Sequence, residues 1–82
     1  MNLFFDEQEN LIIVQTNLPR MQAFNITVND VLGKKVFQKN IVPGANGIQL
    51  EKIDASTFPP GIFTVQISSA ELKLSRKIIV TH

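Results

Sequence analysis

Hydrophobic and polar residues alternate along much of this chain, in short stretches separated by turn-forming residues. From Phe24 to Asn29 the apolar side chains occupy every second position, and the same alternation runs from Ile62 to Ile67. A period of two is that of a β-strand with one buried face, because successive side chains point to opposite sides. Both stretches are therefore predicted to be half-buried strands.

Other stretches have the same extended character. Residues 11–16 are rich in β-branched side chains and are stopped at Pro19, which cannot donate a ladder hydrogen bond. In residues 48–51, Ile48 and Leu50 share one face, and residues 72–80 alternate again. With residues 34–39, and with Leu3 to Phe5 as a seventh candidate, the chain carries six or seven predicted strands.

The segments between these strands are typical of turns. Asp30 can bond backbone N–H groups with its carboxylate, and Gly33 can adopt the positive φ of a type I turn with a bulge, which predicts a hairpin. A second loop spans residues 43–47. Residues 54–57 can form one helical turn, but Pro59 bars a longer helix because the residue before proline is pushed out of the α region.

Strands of this number, with two-sided alternation and no long helix, are best packed as two sheets face to face. We predict an all-β, immunoglobulin-like antiparallel β-sandwich of about seven short strands. With 82 residues the chain is shorter than most single domains, so we predict that residues 1–82 form one domain. It has no cysteine, and therefore neither a disulfide nor a thiolate metal site is expected.

Charge and targeting features narrow the function classes. No apolar run approaches the length of a membrane-spanning helix, and the start of the chain turns acidic without a basic region, so any export signal is expected upstream on a longer precursor. A net charge of +1 predicts no nucleic-acid partner.

The charges are unevenly distributed along the chain. Acidic residues lie near its start and basic residues near its end. The simpler interpretation is two solvated faces, and the alternative is a set of cross-strand charge pairs, which the sandwich would allow by placing its first and last strands together. The residues are Asp6, Glu7 and Glu9 against Lys73, Arg76 and Lys77.

Candidate chemistry is sparse. His82 is the only imidazole and is terminal, which argues against a catalytic triad. The acidic start lacks the spacing of a calcium loop, the glycines form no phosphate-binding motif, and the six phenylalanines are better explained as core than as a stacking platform. We therefore expect no cofactor, no metal, no small-molecule substrate and no enzymatic activity.

Four short patterns occur in order along the chain, and together they are more specific than any one of them. They are Asp30-Val31-Leu32-Gly33-Lys34-Lys35-Val36, Asn46-Gly47-Ile48-Gln49-Leu50, Pro60-Gly61-Ile62-Phe63-Thr64-Val65-Gln66-Ile67 and Arg76-Lys77-Ile78-Ile79-Val80. In this order and spacing the chain resembles the C-terminal sorting domain, type A, of proteins secreted by the type IX (Por) secretion system.

The resemblance implies a function that composition does not. Such a domain is the C-terminal part of a larger exported cargo protein, passes through the periplasm, and is recognised by an outer-membrane translocon. A sortase-like protease then usually removes it, and the cargo is released or stays on the cell surface. The domain itself catalyses nothing.

The resemblance also assigns site residues. By position, the signal and recognition residues are Gly33, Lys34, Gly61, Phe63, Lys77, Ile78, Ile79 and Val80. The glycines have a simpler explanation as turn residues, and Phe63 as core. Lys77 and the chain end are the best candidates for direct contact, because an exposed edge strand can pair with a receptor or with a second copy of the domain.

The chain departs from the family pattern in three places. A Pro-Asn-Pro opening is absent, Phe63 stands where a tyrosine is usual, and Thr81-His82 replaces a closing lysine.

The alternative function is a small adhesive or carbohydrate-binding β-sandwich module of an extracellular protein.

Overall fold

In the part of the chain that the structure describes, seven β-strands form where the alternating pattern predicts them. The computed structural model describes residues 2–17, 23–42, 48–70 and 72–81. The strands are β1 (Asn2–Asp6), β2 (Leu11–Asn17), β3 (Phe24–Asn29), β4 (Lys35–Ile41), β5 (Ile48–Asp54), β6 (Gly61–Ser68) and β7 (Lys73–Val80). The predicted breaks at Pro19 and residues 43–47, and His82, lie outside the described residues.

The strands form two antiparallel sheets, which confirms the predicted β-sandwich. One sheet has the order β1-β2-β5 and the other the order β4-β3-β6-β7. The pairing of β3 with β6 joins strands that are far apart in sequence, so the four-stranded sheet is complete only when the chain has crossed between layers. In the described part of the chain, no helix is long and apolar enough to cross a membrane.

The core lies between the sheets and is built from the inward rows of the central strands. Ile26 and Val28 of β3 face Val65 and Ile67 of β6, and all four are fully buried. The remaining buried apolar residues are Ile12, Val14, Phe24, Ile41, Ile53, Ala55, Phe58, Phe63, Ile78 and Val80. Alternation therefore places one face of each central strand in the core.

In strand β5 a large apolar side chain lies on the outer face. Leu50 is 53% exposed. The reason is the register with β2, in which Glu51 lies opposite the buried Val14 and Ile53 opposite the buried Ile12. The inward row of β5 therefore contains Glu51 and Ile53, and Leu50 lies on the outer face.

A single ion pair in the described part of the chain joins the two sheets at one open side of the sandwich. Lys39 of β4 lies opposite the buried Ile26 of β3, and Glu51 of β5 lies opposite the buried Val14 of β2. Both charged residues therefore lie in inward rows, on strands at the edges of their sheets. Lys39 Nζ lies 3.1 Å from Glu51 Oε1. The pair therefore places one charged side chain in the inward row of each of the edge strands β4 and β5.

Candidate recognition surface

The β3–β4 hairpin is held by the side chain of Asp30. Its Oδ1 atom accepts hydrogen bonds from the backbone N–H groups of Leu32 and Lys34, both at 2.9 Å. The N–H of Gly33 donates to the Asp30 carbonyl at 3.0 Å, and Gly33 has φ 83°. A residue with a Cβ is strained at this φ, so the predicted turn chemistry is confirmed.

Gly61 and Phe63 serve the packing of β6. Gly61 follows two prolines and has φ 151°, a conformation that favours glycine. Phe63 is only 2% exposed, and its ring centroid lies 5.3 Å from that of Phe58. The expectation that Phe63 belongs to the core is confirmed, so this ring is not accessible on the surface of the folded domain.

The last strand divides its predicted signal residues between two faces. Ile78 and Val80 are buried in the core, whereas Lys77 and Ile79 are exposed on the outer face of the four-stranded sheet. Lys77 lies opposite Thr64 of β6, and Ile79 lies opposite Ile62. Only Lys77 and Ile79 among these four therefore present their side chains to solvent.

The fold brings the hairpin and the last strand together. A shallow depression of about 390 Å³ on the outer face of the four-stranded sheet is bounded by the hairpin on one side and β7 on the other. Its lining residues are Asn29, Asp30, Val31, Gly33, Ile62, Thr64 and Lys77. Two of the predicted site residues, Gly33 and Lys77, thus line one surface although they are far apart in sequence.

Exposed apolar side chains surround this depression. Val31, Ile62 and Ile79 are all large hydrophobic residues on the surface, and Leu32 at the hairpin tip is 89% exposed. We call Val31, Ile62, Lys77 and Ile79 the outer-face patch. Sequence reasoning missed Val31 and Ile62, although both carried a signal: one is apolar inside a turn, and the other precedes the buried row that begins at Phe63.

The basic residues of β7 have no acidic partners in the described part of the chain. Lys73, Arg76 and Lys77 are exposed, and the ion pair between the sheets involves none of them. Lys34 is likewise exposed and contributes its backbone N–H, but no side-chain hydrogen bond or ion pair, among the described residues. Lys77 is the one of these β7 cations on the outer face beside the hairpin, because Lys73 lies opposite Ser68 at the other end of the strand pair and Arg76 lies in the inward row, opposite the buried Val65. Lys34 and Lys77 therefore supply the unpaired positive charge of the surface beside the hairpin.

The two ends of the described chain meet without pairing their charges. Strand β1 packs beside β7, and Thr81 Oγ1 donates a hydrogen bond of 2.5 Å to Glu7 Oε1. Asp6 instead accepts hydrogen bonds from the backbone N–H groups of Gln8 and Glu9, at 3.0 and 3.3 Å. The strands are neighbours, as the sandwich predicted, but the charge pairs are not formed among the described residues.

The acidic groups have structural roles. The backbone N–H of Ser56 donates to Asp54 Oδ1 at 2.9 Å, which lowers the pKa of the Asp54 carboxyl group. No three acidic or histidine side chains in the described ranges converge on a common point that could hold a metal ion. The arrangement offers an exposed strand edge, a basic group and an apolar surface, which are means of recognition.

Comparison with known proteins decides the family. The model of the family described as "Secretion system C-terminal sorting domain" matches residues 8–81, which is nearly the whole chain. The chain belongs to this family. Its function is that of a C-terminal sorting signal for type IX secretion. The comparisons with curated proteins and with solved structures found no match to this chain.

Three of the four sequence patterns lie in the same sheet. In the sorting domain the hairpin pattern covers the turn between β3 and β4 and the start of β4. The Pro60-Gly61 pattern lies at the start of β6, and the terminal pattern lies in β7. These elements belong to one sheet, the four-stranded one. The signal directs export toward the cell surface or secretion.

Proposed function

We propose that the sorting domain is the C-terminal part of a larger exported protein and directs that covalently linked cargo through an outer-membrane translocon. The cargo would cross the periplasm, and a sortase-like protease would then remove the domain and leave the cargo secreted or on the cell surface. In this proposal the domain acts by recognition, without catalysis and without a cofactor. Nothing in the comparisons favours the adhesive or carbohydrate-binding alternative.

The position of β7 is the observation that carries the proposal. This strand holds the terminal pattern and is an edge strand of the four-stranded sheet, paired on one side with β6. No backbone hydrogen bond joins it to β1 in the described part of the chain. An edge strand has alternate N–H and C=O groups that point away from its partner, and a receptor strand can pair with them.

The other site residues have supporting roles in this proposal. Ile78, Val80 and Phe63 anchor β7 and β6 in the core, so that the edge is presented in a fixed position. Gly33 allows the hairpin turn between β3 and β4, and Gly61 allows the backbone conformation at the start of β6. Lys77, Ile79 and Lys34 remain for direct contact.

A secretion assay tests the proposal. Residues 1–82 are fused behind a reporter that carries an N-terminal export signal, in a host with the type IX system. The intact fusion is expected at the cell surface or in the medium, and deletion of residues 77–82 is expected to retain it in the periplasm. Periplasmic retention of the intact fusion would contradict the proposal, as would delivery of the deleted one.

The deletion also removes the core residues Ile78 and Val80, so a variant that keeps the core is needed. Lys77→Glu reverses an exposed charge on β7, and Lys52→Glu makes the same change on the other sheet, where Lys52 is also exposed. Delivery is expected to fall for the first and to be unchanged for the second. An equal effect of both changes would show that β7 is not the recognised edge.

The same edge can pair with a second copy of the domain, and an edge-strand homodimer remains a prediction. Size-exclusion chromatography with light scattering over a range of concentrations tests it. A dimer that Ser75→Pro abolishes would support pairing through β7, because proline cannot donate a ladder hydrogen bond. A monomer at all concentrations would contradict it.

A further inference from the structure

We infer that the edge of β7, with Lys77 and Ile79 of the outer-face patch beside it, binds an extended peptide segment whose side chains on the outer face are alternately acidic and apolar. This inference rests on the proposed function, since it names the kind of segment that the edge of β7 would receive. Three properties of the surface carry it: apolar exposure, unpaired positive charge and a free strand edge.

The outer-face patch has apolar side chains at positions where an alternating strand would have polar ones. The outer face of the four-stranded sheet is otherwise polar, with Thr27, Gln66 and Ser75 in one row across three strands. Ile62 and Ile79 interrupt this polarity as directly opposed neighbours, 46% and 59% exposed. Clustered apolar residues with a polar rim are a feature of interaction surfaces.

The charge of the patch favours a partner with acidic side chains. Lys77 has no ion pair among the described residues, and every charged residue of β7 is basic. Asp30 is the acidic residue that lines the depression, but its Oδ1 atom already accepts two backbone hydrogen bonds within the turn. An incoming acidic side chain therefore complements this surface, whereas a basic one would meet like charge.

The strand edge favours a peptide over a lipid surface. Backbone groups at the edge of β7 need hydrogen-bond partners in a regular row, which an added strand supplies and a lipid headgroup layer does not. Lys77 and Ile79 share the outer face with one residue between them. Because opposed residues of paired strands share a face, the partner would place an acidic residue beside Lys77 and, two positions away, an apolar residue beside Ile79.

Peptide binding to the 82-residue chain tests the inference. One fluorescently labelled probe has threonine at every second position, and valine and glutamate alternate at the positions between. A second probe carries lysine in place of glutamate. The glutamate probe is expected to bind in an anisotropy titration, more weakly as salt is raised, and the lysine probe is not. Equal binding of the two probes would overturn the inference.

Charge exchange provides the stronger test. Lys77→Glu is expected to weaken binding of the glutamate probe by about tenfold and to allow the lysine probe to bind, whereas Lys52→Glu is expected to leave both probes unaffected. Ile79→Thr should weaken the glutamate probe, and Leu50→Thr, a change at a similarly exposed apolar residue of the other sheet, should not. Circular dichroism of each variant establishes that it is folded. Loss of binding in the Lys52 or Leu50 variants to the same extent would refute the assigned surface.

Two further outcomes separate this inference from its alternatives. Binding to vesicles containing anionic phospholipid that depends on Lys77, without binding of the glutamate probe, would replace the peptide with a membrane surface. Normal delivery of the reporter fusion with no binding of either probe would overturn the inference and leave the proposed function intact. Probe binding with the intact fusion retained in the periplasm would instead overturn the proposed function alone.

Discussion

Ile78 and Ile79 are adjacent residues of the same type on opposite faces of β7. Substitutions at the two positions therefore distinguish an effect on folding from an effect on recognition. Ile78 is 8% exposed and Ile79 is 59% exposed. Replacement of either by alanine removes the same atoms from the same strand. The difference between the two variants therefore measures the contribution of the buried face.

The structure sets the size of the expected effects. Each buried carbon contributes about 0.8 kcal/mol. Because Ile78 is almost fully covered, Ile78→Ala should lose roughly 2 to 4 kcal/mol of the free energy of unfolding once the cavity is included. Ile79→Ala should lose about 1 kcal/mol or less, since more than half of that side chain is in water. A domain of this size has a total stability near the lower end of about 5 to 15 kcal/mol.

Urea unfolding followed by far-ultraviolet circular dichroism is the suitable assay, because the chain has no tryptophan or tyrosine for fluorescence. With an m-value of about 1 to 1.5 kcal/mol per molar urea, Ile78→Ala should lower the midpoint by about 2 M, and Ile79→Ala by less than about 1 M. In the secretion assay Ile79→Ala should reduce delivery while the domain stays folded. Similar midpoints for the two variants would refute the assigned facing of β7.

Three further outcomes follow from the turns and the last strand. Gly33→Ala should destabilise the domain by about 1 to 2 kcal/mol because of the positive φ, and Gly33→Asn by less; thermal unfolding measures both, and a wild-type midpoint for the alanine variant would contradict the turn geometry. Deletion of residues 72–82 should abolish the cooperative thermal transition, whereas retained β circular dichroism with a transition would make β7 an appendage. The lowered pKa of Asp54 means that the hydrogen bond from Ser56 stabilises the fold above the unfolded-state pKa of about 4, and that this contribution is lost progressively as the pH falls from there through the lower folded-state pKa. Asp54→Asn should therefore lose less stability on acidification, and an unchanged pH profile in urea titrations would count against this role.

Turns and strands were predictable because their causes are local. The hairpin at Asp30 and Gly33 follows from the side-chain chemistry of four or five consecutive residues, and its hydrogen bonds are those the sequence predicted. The buried rows of β3 and β6 follow from alternation alone. The core position of Phe63 was predictable for the same reason.

The candidate site was only partly predictable. The terminal pattern directed attention to β7, but alternation could not say that β7 is an edge or that the hairpin lies beside Lys77. Val31 and Ile62 were overlooked because an exposed apolar residue has meaning only once its neighbours in space are known. For a related reason, alternation in β5 left open whether Leu50 or Glu51 faces inward: the register with β2 decides it.

The sequence by itself determined the strands, the turns, the all-β class and, through its ordered patterns, the resemblance to sorting domains. Tertiary structure alone decided the partition into β1-β2-β5 and β4-β3-β6-β7, the open edge at β7, and the meeting of Lys39 with Glu51 across the sheets. The physical reason is the distance along the chain over which each kind of interaction acts. Backbone dihedral preferences and side-chain alternation act between near neighbours in sequence, whereas strand partners and exposed surfaces depend on contacts between residues that are far apart in the chain.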